Sequence, residues 1–187
     1  MPNQLDISNM VFLDTETTGL GEKAQVVEIA IVDAAGNVLL DTLVRPTVLV
    51  ESGAAAVHGI TAEQLEQAPA LPEVWPDLLA ALEGRTVVIY NATFDVRMLF
   101  QSARAHNLPI EPLQRLDVWC AMRAYAEFWG DYNVARHSYV WQSLNAAIDQ
   151  QCLVLPPGMR LHSALADAEM TRRLTVRMLN GEGRRKG

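Results

Sequence analysis

Hydrophobic and polar positions alternate in two different periods along this chain. Residues 10–14, MVFLD, form a short β-branched and aromatic run that ends on a carboxylate. Residues 25–46, QVVEIAIVDAAGNVLLDTLVRP, hold two more runs of strand length, and AAGN at 34–37 supplies a turn, which predicts a hairpin. An irregular stretch containing VHGIT (57–61) follows, and then the period lengthens. Thr61 with Gln64 has the form of a helix-starting capping box. Residues 71–82 read as a helix with Pro72 in the first turn and Gly84 past the end. TVVIYN (86–91) is continuously apolar, as a central strand covered on both faces would be. Residues 94–108 are helical in period, with Val96, Leu99, Phe100 and Ala103 on one side. LQRLDVW (113–119) reads as a fifth strand. Helices are expected over 120–129 and 141–151, PPG (156–158) breaks the chain, and a last helix is expected over 163–179. Three strands followed by helix–strand–helix–strand–helix predict a mixed sheet with helices on its faces. This α/β unit spans 1–180 as one domain, and GEGRRKG (181–187) reads as a short, basic, flexible tail.

Half of the 187 residues are hydrophobic, ample for one core. No apolar run approaches the roughly 20 residues that span a bilayer, and MPNQLDISNM lacks the form of a signal peptide. A soluble, cytoplasmic protein is the expectation. Cys120 and Cys152 lack metal-like spacing and are expected to be buried, reduced thiols. The net charge of −7 argues against coating nucleic acid by bulk charge, but not against gripping it at one point.

The candidate chemistry is acidic. Alternation along a strand points Asp14 and Glu16 the same way. Two carboxylates so placed need a cation, a proton or full exposure. A solvated turn is the plain reading of that pair. Asp95, in NATFD, follows the strand 86–91, at the sheet end where open α/β folds place their sites. It could equally complement a helix dipole, and Asn91 could be a turn or cap residue. Asp167 sits in the early turns of the last helix among Leu165, Ala166 and Ala168, where a buried carboxylate needs a partner. His162 just ahead of that helix is either a surface-loop histidine or a titratable base near neutral pH. Four oxygen donors, one imidazole and no thiolate make a hard-cation set, suited to Mg²⁺ or Mn²⁺. Two such ions about 4 Å apart can clamp a phosphoryl displacement.

Three motifs in order give these residues a family resemblance. D-x-E-T-T-G is met by Asp14, Glu16, Thr17, Thr18 and Gly19; N-A-x-F-D by Asn91, Ala92, Phe94 and Asp95; and H-x4-D by His162 and Asp167. The chain resembles the DEDDh branch of the DnaQ-like 3′–5′ exonucleases over about residues 9 to 180, VHGIT (57–61) included. The resemblance implies a ribonuclease H-like fold: a mixed five-stranded sheet, three antiparallel strands then two parallel, with helices on both faces. It implies two divalent cations held by Asp14, Glu16, Asp95 and Asp167, His162 as general base, and release of nucleoside 5′-monophosphates from a free 3′ end. It places Thr17 by the terminal nucleotide with Glu16 near its 3′-hydroxyl, His58 and Phe94 lining its pocket, and Asn91 among the substrate-binding residues. Tyr90 departs from the pattern, since many relatives carry His there.

DNA, single-stranded or frayed, is the expected substrate. RNA trimming is the alternative, and a non-catalytic binding or scaffold subunit on the same fold is another. Residues 119–141 hold Trp119, Tyr125, Phe128, Trp129, Tyr132, Tyr139 and Trp141 with Arg123, Arg136 and His137 interleaved. They read as a stacking surface for single strands, as a docking face for a protein partner, or as core packing. Arg172, Arg173 and Arg177 on the last helix are either a solvated face or phosphate contacts.

Overall fold

The computed structural model describes residues 6–184. Side chains along β1 (Met10–Thr17) alternate between two buried faces, which is why its apolar run is unbroken. Val11 and Leu13 enter one core layer, and Met10 and Phe12 enter the other. β2 (Val26–Asp33) and β3 (Val38–Leu43) are antiparallel to their neighbours. Their turn closes with Gly36 at φ +89°, while Asp33 Oδ1 accepts the Ala35 and Asn37 N–H groups. β4 (Thr86–Ile89) pairs in parallel with β1, and β5 (Asp117–Cys120) with β4. The order across the sheet is β3–β2–β1–β4–β5, the mixed sheet expected from the sequence.

The helices are α1 (Ser52–His58), α2 (Ala62–Gln67), α3 (Leu71–Leu82), α4 (Ala92–Ala105), α5 (Glu111–Gln114), α6 (Ala121–Trp129), α7 (Leu144–Gln150) and α8 (Ala164–Leu179). α3 and α4 cover the Val11–Leu13 face; α6, α7 and α8 cover the Met10–Phe12 face. Thr61 and Gln64 form the expected capping box of α2. In α8, Ala164, Ala166 and Ala168 are fully buried, and these small side chains bring its first turns close over β1 and β2.

Several boundaries differ from the sequence expectation. The irregular stretch contains α1. α4 begins at Ala92 rather than 94. The strand expected over 113–119 starts only at Asp117, because Pro112 opens the short α5. The helix expected from 141 starts at Leu144, where Ser143 Oγ accepts the Ala146 N–H. Between α6 and α7 the chain forms a small hairpin, β6 (Tyr132–Asn133) and β7 (Ser138–Tyr139). Cys120 and Cys152 are free thiols, but neither is buried as expected: Cys120 is half-buried and Cys152 exposed. In the tail, Gln151 Nε2 donates to the Gly183 carbonyl at 2.9 Å and Arg184 lies 5.4 Å over the Phe128 ring; residues 185–187 lie outside the described residues. No helix among the described residues is long and apolar enough to cross a membrane.

Candidate active site

Strand alternation builds the first half of the site. Asp14 and Glu16 continue the Met10–Phe12 face, so they point toward α8. A bulge between Glu16 and Thr17 ends the regular β1–β2 pairing there. The turn beyond is tightly docked. Thr18 Oγ1 accepts the Gln25 N–H, and the Thr18 carbonyl accepts the Glu51 N–H at 2.8 Å. A Cβ on Gly19 would meet only the Glu51 carboxylate, the mobile end of an exposed side chain that can swing aside.

α8 supplies Asp167 on the same face. One oxygen from each of Asp14, Glu16 and Asp167 lies within 4.8 Å of the others. Asp95, in the first turn of α4, is buried nearby, where its Oδ1 accepts from Thr15 Oγ1 at 2.8 Å and Thr15 N at 3.2 Å. His162 is exposed at the entry to α8, in left-handed backbone at φ +62°. The structure thus brings Asp14, Glu16, Asp95, Asp167 and His162 to one end of the sheet.

Two residues absent from the sequence reading belong to this cluster. Glu28 stands directly opposite Glu16 in the β1–β2 register, and its Oε2 accepts the Ala164 N–H at 2.9 Å. A carboxylate inside the otherwise apolar VVEIAIV run was the signal. Arg160 donates to the His58 carbonyl and tethers the segment ahead of α8 to α1. No sequence spacing announces that contact.

Burial and mutual repulsion dominate the electrostatics. Burial pushes the Glu16 carboxyl up to about 8, aided by Asp167 and Glu28. Burial raises Asp95 to about 7 against the opposing Thr15 hydrogen bonds. Asp14 is raised by burial, then by Asp95, Asp167, Glu16 and Glu28, and burial also raises Asp167 and Glu28. Arg160 opposes the shift at Glu16 and Glu28. Asp167 Oδ1 is buried without a hydrogen-bond partner. A carboxylate set this dense and this poorly matched by protein donors fits a bound hard cation, with Asp14, Glu16 and Asp167 as ligands and Asp95 beside them.

Thr17 is buried, its Oγ1 donating to the Gly19 carbonyl at 2.9 Å. His58 is buried, its Nδ1 accepting the Ile60 N–H at 3.0 Å, so its proton sits on Nε2, and burial lowers its pKa. Asn91 is exposed at the N-cap of α4 and its side chain makes no capping bond. Phe94 is half-buried against the α3–α4 core with the Arg97 guanidinium 5.6 Å from its ring. The arginines of α8 are engaged within the protein instead. Arg172 and Arg173 pair with buried Glu169 at 2.6 and 2.7 Å, and Arg177 donates to Gln151.

The pattern of the RNase T exonuclease family matches residues 11–175, from the first strand of the site through most of α8. This chain belongs to that exonuclease family. It is 36% identical over 165 residues to the uncharacterized exonuclease CP81 of Escherichia phage 186, covering 86% of this chain and 83% of that protein. The structure of exonuclease X in complex with 5′ overhanging duplex DNA superposes with TM-score 0.71 at 28% identity over 93% of each chain. The nuclease domain of 3′hExo, a DEDDh family member bound to rAMP, has the same fold with TM-score 0.71 at 15% identity, over 95% of this chain and 94% of that one. The PolC-type DNA polymerases it also matches are far longer, the chain spanning 12% of that of Thermotoga petrophila.

Proposed function

We propose that this protein removes nucleotides one at a time from the 3′ end of DNA, single-stranded or frayed, with two divalent cations, Mg²⁺ or Mn²⁺. The observation that carries this reading is the convergence of Asp14, Glu16 and Asp167 around the unpartnered Asp167 Oδ1. Asp14, Glu16, Asp95 and Asp167 hold the cations, which when bound supply charge neutralisation at the phosphate and a more acidic water. His162, exposed at the site's edge, takes the proton of the attacking water. Water oxygen adds to phosphorus and the P–O3′ bond breaks. The 3′ oxygen takes a proton from solvent and stays on the shortened strand as its new 3′-hydroxyl, and the nucleotide leaves as a 5′-monophosphate. Glu16 lies beside the terminal 3′-hydroxyl. Thr17, His58, Asn91 and Phe94 line the pocket of the last nucleotide, the half-buried Phe94 ring as an apolar wall. The exonuclease X complex supports DNA as the polymer. Free Cys120 and Cys152 fit a reducing, cytoplasmic setting.

Time-resolved digestion of 5′-labelled DNA and RNA of one sequence tests this, using wild type and Asp14→Ala with Mg²⁺ or Mn²⁺. The expected result is a metal-dependent ladder shortening from the 3′ end, faster on DNA and absent in the variant. A faster RNA ladder would move the substrate to RNA. No cleavage of either would turn the reading to a binding or scaffold role.

A further inference from the structure

The aromatic segment after β5 divides sharply into an inner and an outer set. Tyr125 stacks on Trp129 with ring centroids 6.1 Å apart and lies 6.0 Å from Phe128, and Trp119 joins the same core layer. The β6–β7 hairpin contributes nothing comparable. Tyr132 is 47% exposed, Val134 74%, Tyr139 39% and Trp141 66%. Tyr132 and Tyr139 sit opposite each other in register and pack edge to face at 5.2 Å, so the two strands hold each other and leave ring surface to solvent. The Val140 N–H donates to the Asp131 carbonyl at 2.8 Å and prolongs the ladder by a rung. Side chains alternate along such a ribbon, which sends Tyr139 and Trp141 out on one side.

The chemistry of this ribbon differs from that of the rest of the surface. Residues 131–141 include Arg136 and His137 against a single carboxylate, Asp131, in a chain whose net charge is −7. Its base is fastened beside the acidic site. The Tyr90 hydroxyl donates to the Gln142 carbonyl at 2.9 Å, and Tyr90 immediately precedes Asn91 and α4, at the sheet end that carries the carboxylates. Exposed rings with an interleaved guanidinium, next to a phosphodiesterase centre, match the way single strands are held. Bases stack on the rings and phosphates meet the cations.

We infer that the 130–141 hairpin is a stacking platform for the single-stranded polynucleotide 5′ of the nucleotide being removed. The inference rests on the nuclease reading above and names where the remaining strand lies. Tyr139 and Trp141 offer faces to successive bases, and Arg136 offers a cation to the backbone. Both features are indifferent to base identity, so the platform grips length rather than sequence.

The test separates binding from cutting. Trp141→Ala, Tyr139→Ala and Arg136→Gln are compared with wild type on a single strand of about 20 nucleotides and on a dinucleotide. For the long strand, KM is expected to rise about tenfold or more in Trp141→Ala with kcat unchanged, while dinucleotide hydrolysis stays at the wild-type rate. Arg136→Gln is expected to flatten the salt dependence of long-strand binding by somewhat less than one phosphate contact. Unchanged KM for the long strand overturns the inference. So does equal loss on both substrates, which makes the ribbon a prop for the site. A dimer in sedimentation that Trp141→Ala dissolves without moving KM makes the hairpin a contact between copies. If wild type cuts nothing, the nuclease reading fails on its own. Anisotropy of a labelled single strand, without divalent ions, then still decides the platform: weakening by Trp141→Ala upholds it, and equal binding removes it.

Discussion

Glu28 is held between a repulsive neighbour and an attractive one. Glu16 faces it across the strand pair, and the Ala164 N–H donates to it at the first turn of α8. That hydrogen bond positions the helix that carries Asp167, so the acceptor matters more than the charge. Glu28→Gln is expected to keep stability and most activity. Glu28→Ala is expected to cost about 1 kcal/mol, a fall in Tm of about 2–4 °C, with a weaker response to Mn²⁺. Calorimetry with and without Mn²⁺ checks this, and equal behaviour of the two variants would exclude a positioning role. His162 offers a cleaner substitution than its catalytic assignment suggests. Its backbone is left-handed at φ +62°, a region asparagine tolerates far better than most residues. His162→Asn therefore removes the imidazole with little backbone strain. The expected outcome is a kcat lower by about 10²–10⁴-fold with substrate binding and the Mn²⁺ shift of Tm retained. A kcat within threefold of wild type would take the proton-accepting role away from His162.

Among the elements, the segment from α7 to α8 is held near its start by Arg173, whose Nη1 donates to the Val154 carbonyl at 3.2 Å, and near its end by Arg160. Arg160 donates to the His58 carbonyl, and Ser163 Oγ donates to the Arg160 carbonyl at 2.9 Å, so His162 lies between two fixed points. Arg160→Ala is expected to raise amide exchange over residues 152–163 and to lower kcat severalfold, with α8 itself as protected as before; exchange mass spectrometry with steady-state kinetics reads both. Unchanged exchange would mean that other packing holds the loop. This tether also shows what the sequence could and could not carry. The strands of the site were legible because alternation fixes which side Asp14 and Glu16 take, and α3 because Pro72 and its apolar period mark it. The start of β5 was not, since Leu113 and Leu116 look like strand residues until Pro112 opens a helical turn ahead of them. α1 was hidden in a stretch of small residues whose order comes from docking Glu51 on the Thr18–Gly19 turn. Arg160 and Glu28 act through contacts 102 and 136 residues apart in sequence, which no local period encodes.

For the whole molecule, the acidic cluster sets how stability responds to pH and to cations. Asp14, Glu16, Asp95 and Asp167 all have raised pKa values in the folded chain, Glu16 from 4.5 to about 8 and Asp95 from 3.8 to about 7. Across that interval the folded chain holds protons that the unfolded chain has released, so stability falls as pH rises. The contribution is complete below the ordinary carboxylate range and is lost once pH passes the raised values. With chelator present, Tm should therefore drop between about pH 5 and about pH 8. Mn²⁺ or Mg²⁺ should reverse the drop, and most strongly at the alkaline end, because protons compete for the same oxygens. At a hundredfold excess over Kd the gain is about 2.7 kcal/mol, or a Tm rise of about 5–10 °C for a chain of this size. Glu16→Gln carries the sharpest sign. It removes one repelling charge, so the chelated protein should be more stable than wild type near pH 8, while its response to Mn²⁺ shrinks. A catalytic carboxylate whose neutralisation stabilises the empty fold and weakens its grip on cations behaves as a ligand held in place against repulsion. A structural carboxylate would show the reverse, with Glu16→Gln melting lower at every pH and Mn²⁺ acting equally on both proteins.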